Sequence, residues 1–252
     1  MKRFDKRAVY VTGAGSGVGR ATAQRFAAEG AHVFAADVNA QGVAETVEAV
    51  RAQGGRIDGG TCDVASWDSV QGSITEAAAA MGGLNVLVNA AGIGRTVRLE
   101  EMDVADWQKT IAVNLTGPFH TTKAALPHLL RKKGNSIVNV ASIAGVRGQA
   151  YASHYAASKA GLVNFTKAVA LEFASRGLRA NCVCPGGVLT PMVSNFQPVE
   201  NFEPQLIYYF SPPVPGVFSS PEDVAGVIAF LASDDARRVS GAALLADSGT
   251  LA

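Results

Sequence analysis

The chain has 252 residues, 48% hydrophobic and 17% charged, and 22 Lys+Arg against 21 Asp+Glu leave a formal net charge of +1. That mix excludes a disordered chain, and it offers no field that would favour nucleic acid or an anionic membrane surface. The length suits one α/β domain over 1–252 with one large core, and glycine is enriched, at 27 residues.

Three cysteines, Cys62, Cys182 and Cys184, make no disulfide framework, because the number is odd and the chain can stabilise itself without bridges. Cys182 and Cys184 alternate in an apolar run and read as small residues on one face of a buried strand. Histidines at 32, 120, 128 and 154 have no metal-ligand spacing, so no metal is expected. The basic start (Lys2, Arg3, Lys6, Arg7) carries Asp5 and runs into Gly13, Gly15 and Gly17, unlike a secretory signal. No uninterrupted run of about 20 apolar residues suggests a membrane span. A reduced, cytoplasmic protein is expected.

From the N-terminus, β-rich runs alternate with helical patterns. The predicted strands are Ala8–Thr12, His32–Ala36, Arg56–Thr61, Asn85–Asn89, Ser136–Ala141 and Arg179–Val183. The predicted helices are Gly17–Glu29, Ala40–Gln53, Ser66–Met81, Val104–Arg131 and Tyr155–Arg176. This alternation predicts a doubly wound parallel sheet with helices on both faces. Val104–Arg131 is too long for one ordinary helix, and Gly117–Pro118 and Pro127 are expected to break or bend it. After Pro185 the rhythm stops. The stretch 187–220 is rich in proline and aromatic residues (among them Phe196, Phe202, Tyr208, Tyr209, Phe210 and Phe218) and reads as a functional lid. Ser220-Pro221-Glu222-Asp223 then opens a helix to Ala232, and Ala242–Ala246 reads as the last strand.

Thr12-Gly13-Ala14-Gly15-Ser16-Gly17-Val18-Gly19 sits between a predicted strand and a predicted helix, where a helix N-terminus can meet a pyrophosphate. Asp37 closes the second strand, 24 residues past Gly13, and can accept hydrogen bonds from an adenosine ribose. It would repel a 2′-phosphate by roughly 4 kcal/mol at about 4 Å and an effective dielectric of ~20, before screening. Neither Ser16 nor Val38 is a cation that could hold such a phosphate, so NAD is expected over NADP.

Tyr155 and Lys159 are four apart on a predicted helix and share a face. An ammonium about 4 Å from a phenol would draw its pKa down by roughly three units, into the range of acid–base work. Ser142 follows a strand at the carboxyl edge, where its hydroxyl could hold a substrate oxygen. A Tyr-x-x-x-Lys pair alone is common on surfaces.

Taken in order, these segments resemble the short-chain dehydrogenases/reductases over essentially the whole chain. Thr12–Gly19 matches the family's T-G-x-x-x-G-x-G. Asp63-Val64 matches its adenine-contacting pair, and Asn89-Ala90-Ala91-Gly92 its turn after the fourth strand. Asn114 matches its helix asparagine, and Ser142 lies 13 residues before Tyr155, the family's spacing. Pro185-Gly186 and Thr190, with Val188 between, match P-G-x-x-x-T beside the nicotinamide. The resemblance implies that Tyr155 exchanges a proton with the substrate oxygen as hydride moves to or from nicotinamide. It implies that Lys159 tunes Tyr155 and binds the nicotinamide ribose, that Ser142 orients the substrate oxygen, and that Asn114 holds a water linking Lys159 to solvent. It also implies a homotetramer (or a homodimer), with the long fourth and fifth helices forming one interface. Ala141-Ser142 replaces the frequent Ser-Ser without loss of the second serine. Ser211–Phe218 lacks the familiar P-L-x-R-x-G form, which leaves the substrate open.

The aromatic lid favours a hydrophobic secondary alcohol or its ketone. Arg95, Arg98, Arg147, Gln149 and His154 lie where they could touch a polar substrate group, although solvated arginine is the plainer reading. Two alternatives stand beside an NAD-dependent dehydrogenase. One is an NADPH-dependent 3-oxoacyl carrier-protein reductase, against which Asp37 argues. The other is a non-catalytic nucleotide sensor, which would have no need of Ser142, Tyr155 and Lys159.

Overall fold

A computed structural model describes residues 2–208, 211 and 218–252; the expected lid aromatics Tyr209 and Phe210, and 212–217, lie outside the described residues. Seven strands form one parallel sheet: β1 (Ala8–Thr12), β2 (His32–Asp37), β3 (Arg56–Thr61), β4 (Val86–Asn89), β5 (Ser136–Val140), β6 (Arg179–Pro185) and β7 (Ala243–Ala246). Their order is β3-β2-β1-β4-β5-β6-β7, reversing direction of growth between β1 and β4. A ligand crevice opens at the carboxyl ends beside such a reversal.

Helices α1 (Gly17–Ala28), α2 (Ala40–Ala52) and α8 (Pro221–Ala232) cover one face. Helices α3 (Trp67–Met81), α5 (Gly117–Leu129) and α6 (Ser153–Glu172) cover the other. The split follows the pleat: Val9 and Val11 of β1 join Phe26 and Ile228 in one apolar layer, and Tyr10 joins Phe34, Leu87 and Ile137 in the other. Tyr10 is buried with its hydroxyl satisfied by Ser73 Oγ at 2.7 Å. Cys182 and Cys184 are free, buried thiols that share a small cluster with Ala141 and Val163, as expected of alternate residues on one strand face.

The expected break in Val104–Arg131 takes another form. α4 (Val104–Ile111) runs through a π-helical turn, Ala112–Thr116, directly into α5. Pro118 has no N–H for the carbonyl of Asn114, four residues back, and widening the helix just before it accommodates the proline without a break. Pro127 sits in the last turn of α5, whose end follows two residues later. α6 starts at Ser153, so Tyr155 lies in its first turn, and Asp37 closes β2 as expected. The start of α8 is as predicted: Ser220 and Asp223 complete a capping box, with Ser220 N donating to Asp223 at 2.7 Å. Among the described residues no helix is long and apolar enough to cross a membrane.

Candidate active site

The turn between β1 and α1 is shaped by its own packing. A Cβ on Gly19 would lie 2.0 Å from the carbonyl oxygen of Gly13, and one on Gly13, at φ +67°, would lie 2.7 Å from Ala91 N. These two glycines let α1 and the Asn89–Gly92 turn close on the loop, leaving Ser16, Gly17 and Val18 to open the helix. Ser16 makes no side-chain cap, and no acidic residue lies in the first turn. The N–H groups at this helix end therefore have neither a capping side chain nor an acid to satisfy them, which fits a pyrophosphate.

Asp37 stands beside this turn. Its carboxylate accepts from Gly15 N and from Asn39 N, each at 2.9 Å. The nearest cation on α1, Arg20, is already engaged: it donates to Gly15 O at 2.6 Å, Thr46 Oγ1 at 3.0 Å and Glu45 at 2.7 Å. Asp63 caps its own turn through Ala65 N (2.9 Å), while Val64 is buried and its carbonyl accepts from His120 Nδ1 (3.1 Å). Asn89 is buried and structural in its side chain, bonded to Asn139 (2.8 Å) and Thr121 (2.6 Å). Thr12 Oγ1 accepts from the N–H groups of Ala90 and Ala91, both at 3.1 Å, and so fixes the following turn up to Gly92. Pro185 ends β6, and Gly186 donates to Ala246 O at 3.2 Å. Thr190 packs against the α1 turn, where a Cβ on Gly17 would meet its methyl at 3.1 Å.

Ser142, Tyr155 and Lys159 come together at the same edge. Ser142 follows β5 and accepts from Ala144 N at 3.1 Å. Lys159 donates to Val140 O at 2.8 Å, with Nζ 5.7 Å from the Tyr155 ring centroid. The expected depression of the phenol pKa is not what this geometry gives. Burial pushes Tyr155 above its ordinary value, against the opposing hydrogen bond of Ser142. Burial also draws Lys159 down to about 8. Both groups lose water, and burial is the largest cause of each shift. Near neutral pH Tyr155 therefore keeps its proton, which suits it to protonate a ketone oxygen.

Asn114 lies fully buried in the π turn. Its amide is spent on structure: Nδ2 donates to Ile93 O (2.8 Å) and Ser158 Oγ (3.0 Å), and Oδ1 accepts from Ile93 N (2.9 Å). Its side chain thus ties the loop after β4 to α6.

The 187–220 segment leaves and returns at one place, joined by a bridge between Val188 and Ser219. A single turn of helix, Pro191–Asn195, carries it across the site, and α7 (Pro204–Tyr208) follows. Phe196 sets its edge against Tyr155, with centroids 5.2 Å apart. Gly94 faces both rings, and a Cβ there would sit 2.6 Å from Phe196 and 2.7 Å from Tyr155. Beyond this wall lies a cavity of about 520 Å³, lined in part by Arg95, Thr96, Lys109, His154 and Gln197. His154 is buried, its Nδ1 has no hydrogen-bond partner among the described residues, and burial lowers its pKa. Arg95 pairs with Asp106. Arg98 clamps the segment, donating to the carbonyls of Glu200 (2.9 Å) and Asn201 (2.8 Å) with its guanidinium over Tyr151.

The family model for short chain dehydrogenases matches residues 7–201. The chain belongs to the short-chain dehydrogenase/reductase family. It is an oxidoreductase of the kind that acts on alcohols and ketones or on 3-oxoacyl groups. A cis-4-hydroxycyclohexanecarboxylate dehydrogenase from Sinomonas cyclohexanicum is 42% identical over 98% of this chain and 97% of its own. A 3-oxoacyl-[acyl-carrier-protein] reductase from Thermotoga maritima is 38% identical over 98% of both. Among solved structures, a short chain dehydrogenase from Mycobacterium paratuberculosis bound to NAD superposes with a TM-score of 0.93, at 31% identity and 98% coverage of each chain.

Several residues that shape this oxidoreductase's site were not singled out from sequence. Ser158 receives the Asn114 amide and donates to Tyr155 O at 2.7 Å. Asn139 continues the polar ladder from Asn89 to Thr166 (2.8 Å). The pairing of Asn89 with Asn139 across β4 and β5 was available from the aligned strand ends. The contact of Met192 with the Gly92 and Lys159 region carried no local signal, because it joins residues distant in sequence.

Proposed function

We propose that this protein is an NAD-dependent dehydrogenase that interconverts a secondary alcohol and its ketone, with a hydrophobic substrate body. The observation that carries this reading is the convergence of Ser142, Tyr155 and Lys159 beside an α1 N-terminus without a side-chain cap and flanked by Asp37. Bound nicotinamide supplies hydride acceptance or donation.

The chain's residues do the rest. Ser142 orients the substrate oxygen, and Tyr155 gives it a proton in reduction or takes one in oxidation. Lys159 supports the phenolate that oxidation needs and binds the nicotinamide ribose, while Asn114 holds the loop after β4 in place and offers its main-chain carbonyl to a water. Gly13, Ser16, Gly17, Val18 and Gly19 form the phosphate turn. Asp63, Val64, Asn89, Ala90 and Gly92 border the adenine and ribose side, and Pro185, Gly186, Val188 and Thr190 the nicotinamide side. Phe196 beside Tyr155 supports an apolar substrate body, and the polar lining of the adjoining cavity leaves room for a polar far end.

NAD is favoured because Asp37 would face a 2′-phosphate while Arg20 is held by Glu45 and carbonyl groups. The similarity to a 3-oxoacyl carrier-protein reductase keeps an NADPH-dependent ketoreductase as the second reading. The whole chain acts as one domain, with 187–220 as its lid. A homotetramer is proposed from two apolar faces, one with Trp107 and Phe119 along α4 and α5, the other with Phe230, Leu244 and Leu245 along α8 and β7. Three buried free thiols accord with a reducing cytoplasm.

The test is NADH and NADPH formation across secondary alcohols of increasing bulk, with Tyr155→Phe as control. Turnover with NAD that grows with bulk and vanishes in the variant supports the reading. Preference for NADP, or turnover kept in the variant, overturns it.

A further inference from the structure

The residues that enter β1 to β5 surround a second cavity at the amino-terminal edge of the sheet, opposite the active site. Its volume is about 350 Å³. Lys6, Arg7, Arg56, Arg131 and Lys132 line it, together with His32 and His128, and no aspartate or glutamate does. The chain as a whole balances 22 cations against 21 acids, so five cations around one hollow make a local field of one sign.

Several arginines elsewhere are paired with carboxylates. Arg3 and Arg25 share Glu29, Arg20 meets Glu45, and Arg95 meets Asp106. Among the described residues, two of the lining groups meet a carboxylate: Arg7 meets the exposed Asp234 at 3.2 Å, and His32 meets Asp58 at 2.7 Å, which Arg51 also reaches at 3.4 Å. Lys6, Arg56, Arg131 and Lys132 have no ion-pair partner among the described residues.

A second observation points to a ligand. His128 lines the same wall, and its Nδ1 is buried with no hydrogen-bond partner among the described residues. Buried polar atoms in folded proteins nearly always have one. An anion seated among the cations would offset the field of Arg131 beside His128.

We propose that this cavity binds a small polyanion of the phosphate class, carrying two or more negative charges. Arginine forks match phosphoryl oxygens in pairs, and five cations exceed what one carboxylate would require. The volume lies at the small end of the range for ligand pockets. A nucleic-acid strand is disfavoured because no Phe, Tyr or Trp lines the cavity to stack a base. The site is remote from hydride transfer, and its existence does not depend on the proposed activity.

The test is calorimetric titration of inorganic pyrophosphate into the full chain, with and without NADH. The variants are Arg56→Gln/Arg131→Gln, at exposed and unpaired positions, and Arg237→Gln/Arg238→Gln as a control elsewhere on the surface. The expected result is one site per chain that persists with NADH, weakens at least about tenfold in the first variant and is unchanged in the second. An unaltered thermal midpoint in the first variant separates lost binding from lost folding, and Lys132→Gln, expected to weaken binding in the same direction, serves if that midpoint falls. No saturable binding, binding abolished by NADH, or equal affinity in the cavity variants and the control would overturn the proposal. So would sulfate binding as tightly as pyrophosphate, which marks an unspecific basic surface. Tighter binding of polyglutamate or a single-stranded oligonucleotide would mark a macromolecular docking face instead and overturn it as well.

Discussion

The turn at Gly13–Gly19 and the segment at 187–220 border the same crevice but are held in different ways. In the turn, backbone meets backbone: Gly19 against the Gly13 carbonyl, Gly13 against Ala91, and Gly15 N on Asp37. In the segment, side chains reach across from elsewhere: Arg98 to Glu200 and Asn201, Tyr151 to Glu203 N, and Phe196 to Tyr155. The first is made by backbone atoms of a glycine pattern that any sequence carrying it can repeat. The second depends on individual side chains about 40 to 100 residues away, and such contacts can be changed one at a time, which is how one fold acquires different substrates.

The sharpest test of the contrast is Tyr155→Phe, which keeps the ring that Phe196 packs against and removes only the hydroxyl. Turnover should fall by about 10²–10⁴ as the phenol proton is lost, with NADH affinity within twofold. Steady-state rates and a fluorescence titration of NADH check this. A comparable loss of NADH binding would mean that Tyr155 belongs to the cofactor's frame as well.

Next come two glycines. Gly19→Ala places a methyl 2.0 Å from a carbonyl oxygen that cannot move without the turn, so a loss of about 3 kcal/mol and of NADH binding is expected. Gly94→Ala meets only ring atoms of Phe196 and Tyr155, and Phe196 belongs to the yielding segment. Its cost should be near 1 kcal/mol, with KM for the alcohol changed and NADH affinity kept. Denaturant midpoints and separate KM values measure the pair. Equal losses in both would erase the distinction between the two regions.

Asp37→Ala removes the charge a 2′-phosphate would face. The ratio of kcat/KM for NAD to NADP should fall at least about tenfold, since even half of ~4 kcal/mol exceeds that factor. A constant ratio would place the discrimination elsewhere.

Lys159→Met reads the cost of burial. The ammonium is brought down to about 8 in the folded chain from an ordinary value of 10.5. Between those two values the unfolded chain binds the extra proton, so wild-type stability should rise as pH increases through that window. Below about 8 the full penalty remains, roughly 3 kcal/mol, partly offset by the hydrogen bond to Val140 O. The variant should therefore be more stable by about 2 kcal/mol at pH 7, inactive, and without the rise above pH 8. Urea midpoints at pH 7 and 9.5 decide it.

What could be read from the sequence divides along the same line. The strands and the parallel, doubly wound plan were legible because each strand is a short apolar run closed by a turn, and Asp37, Ser142, Tyr155 and Lys159 lie at positions fixed by those runs. The helix after Val104 was legible only in part: proline chemistry predicts a break or bend near Gly117–Pro118, and the α-helix is interrupted just there, but by a π turn that local sequence does not name. The pKa order of Tyr155 and Lys159 was also hidden. Spacing gives their shared face, but burial, which depends on packing from the whole fold, decides the sign. Arg98 read as a solvated or substrate-facing cation, because nothing near it in sequence names the carbonyls of Glu200 and Asn201.

That arginine supplies the smallest effect and the most direct probe of the segment. Arg98→Met keeps the stem that packs near Tyr151 but removes two donors at 2.8–2.9 Å and the cation over the ring. The bonds are partly exposed, so their loss should cost only about 1 kcal/mol of closure. If 187–220 acts as the proposed lid, that cost shows as a several-fold rise in KM for the alcohol. NADH affinity should stay constant, because the phosphate turn and Asp37 make no contact with Arg98. Arg98→Lys retains charge without the forked donors and should recover little of the loss. Full recovery by lysine would show that charge alone draws the segment down, and a matched fall in NADH affinity would show that the two regions share one hold after all.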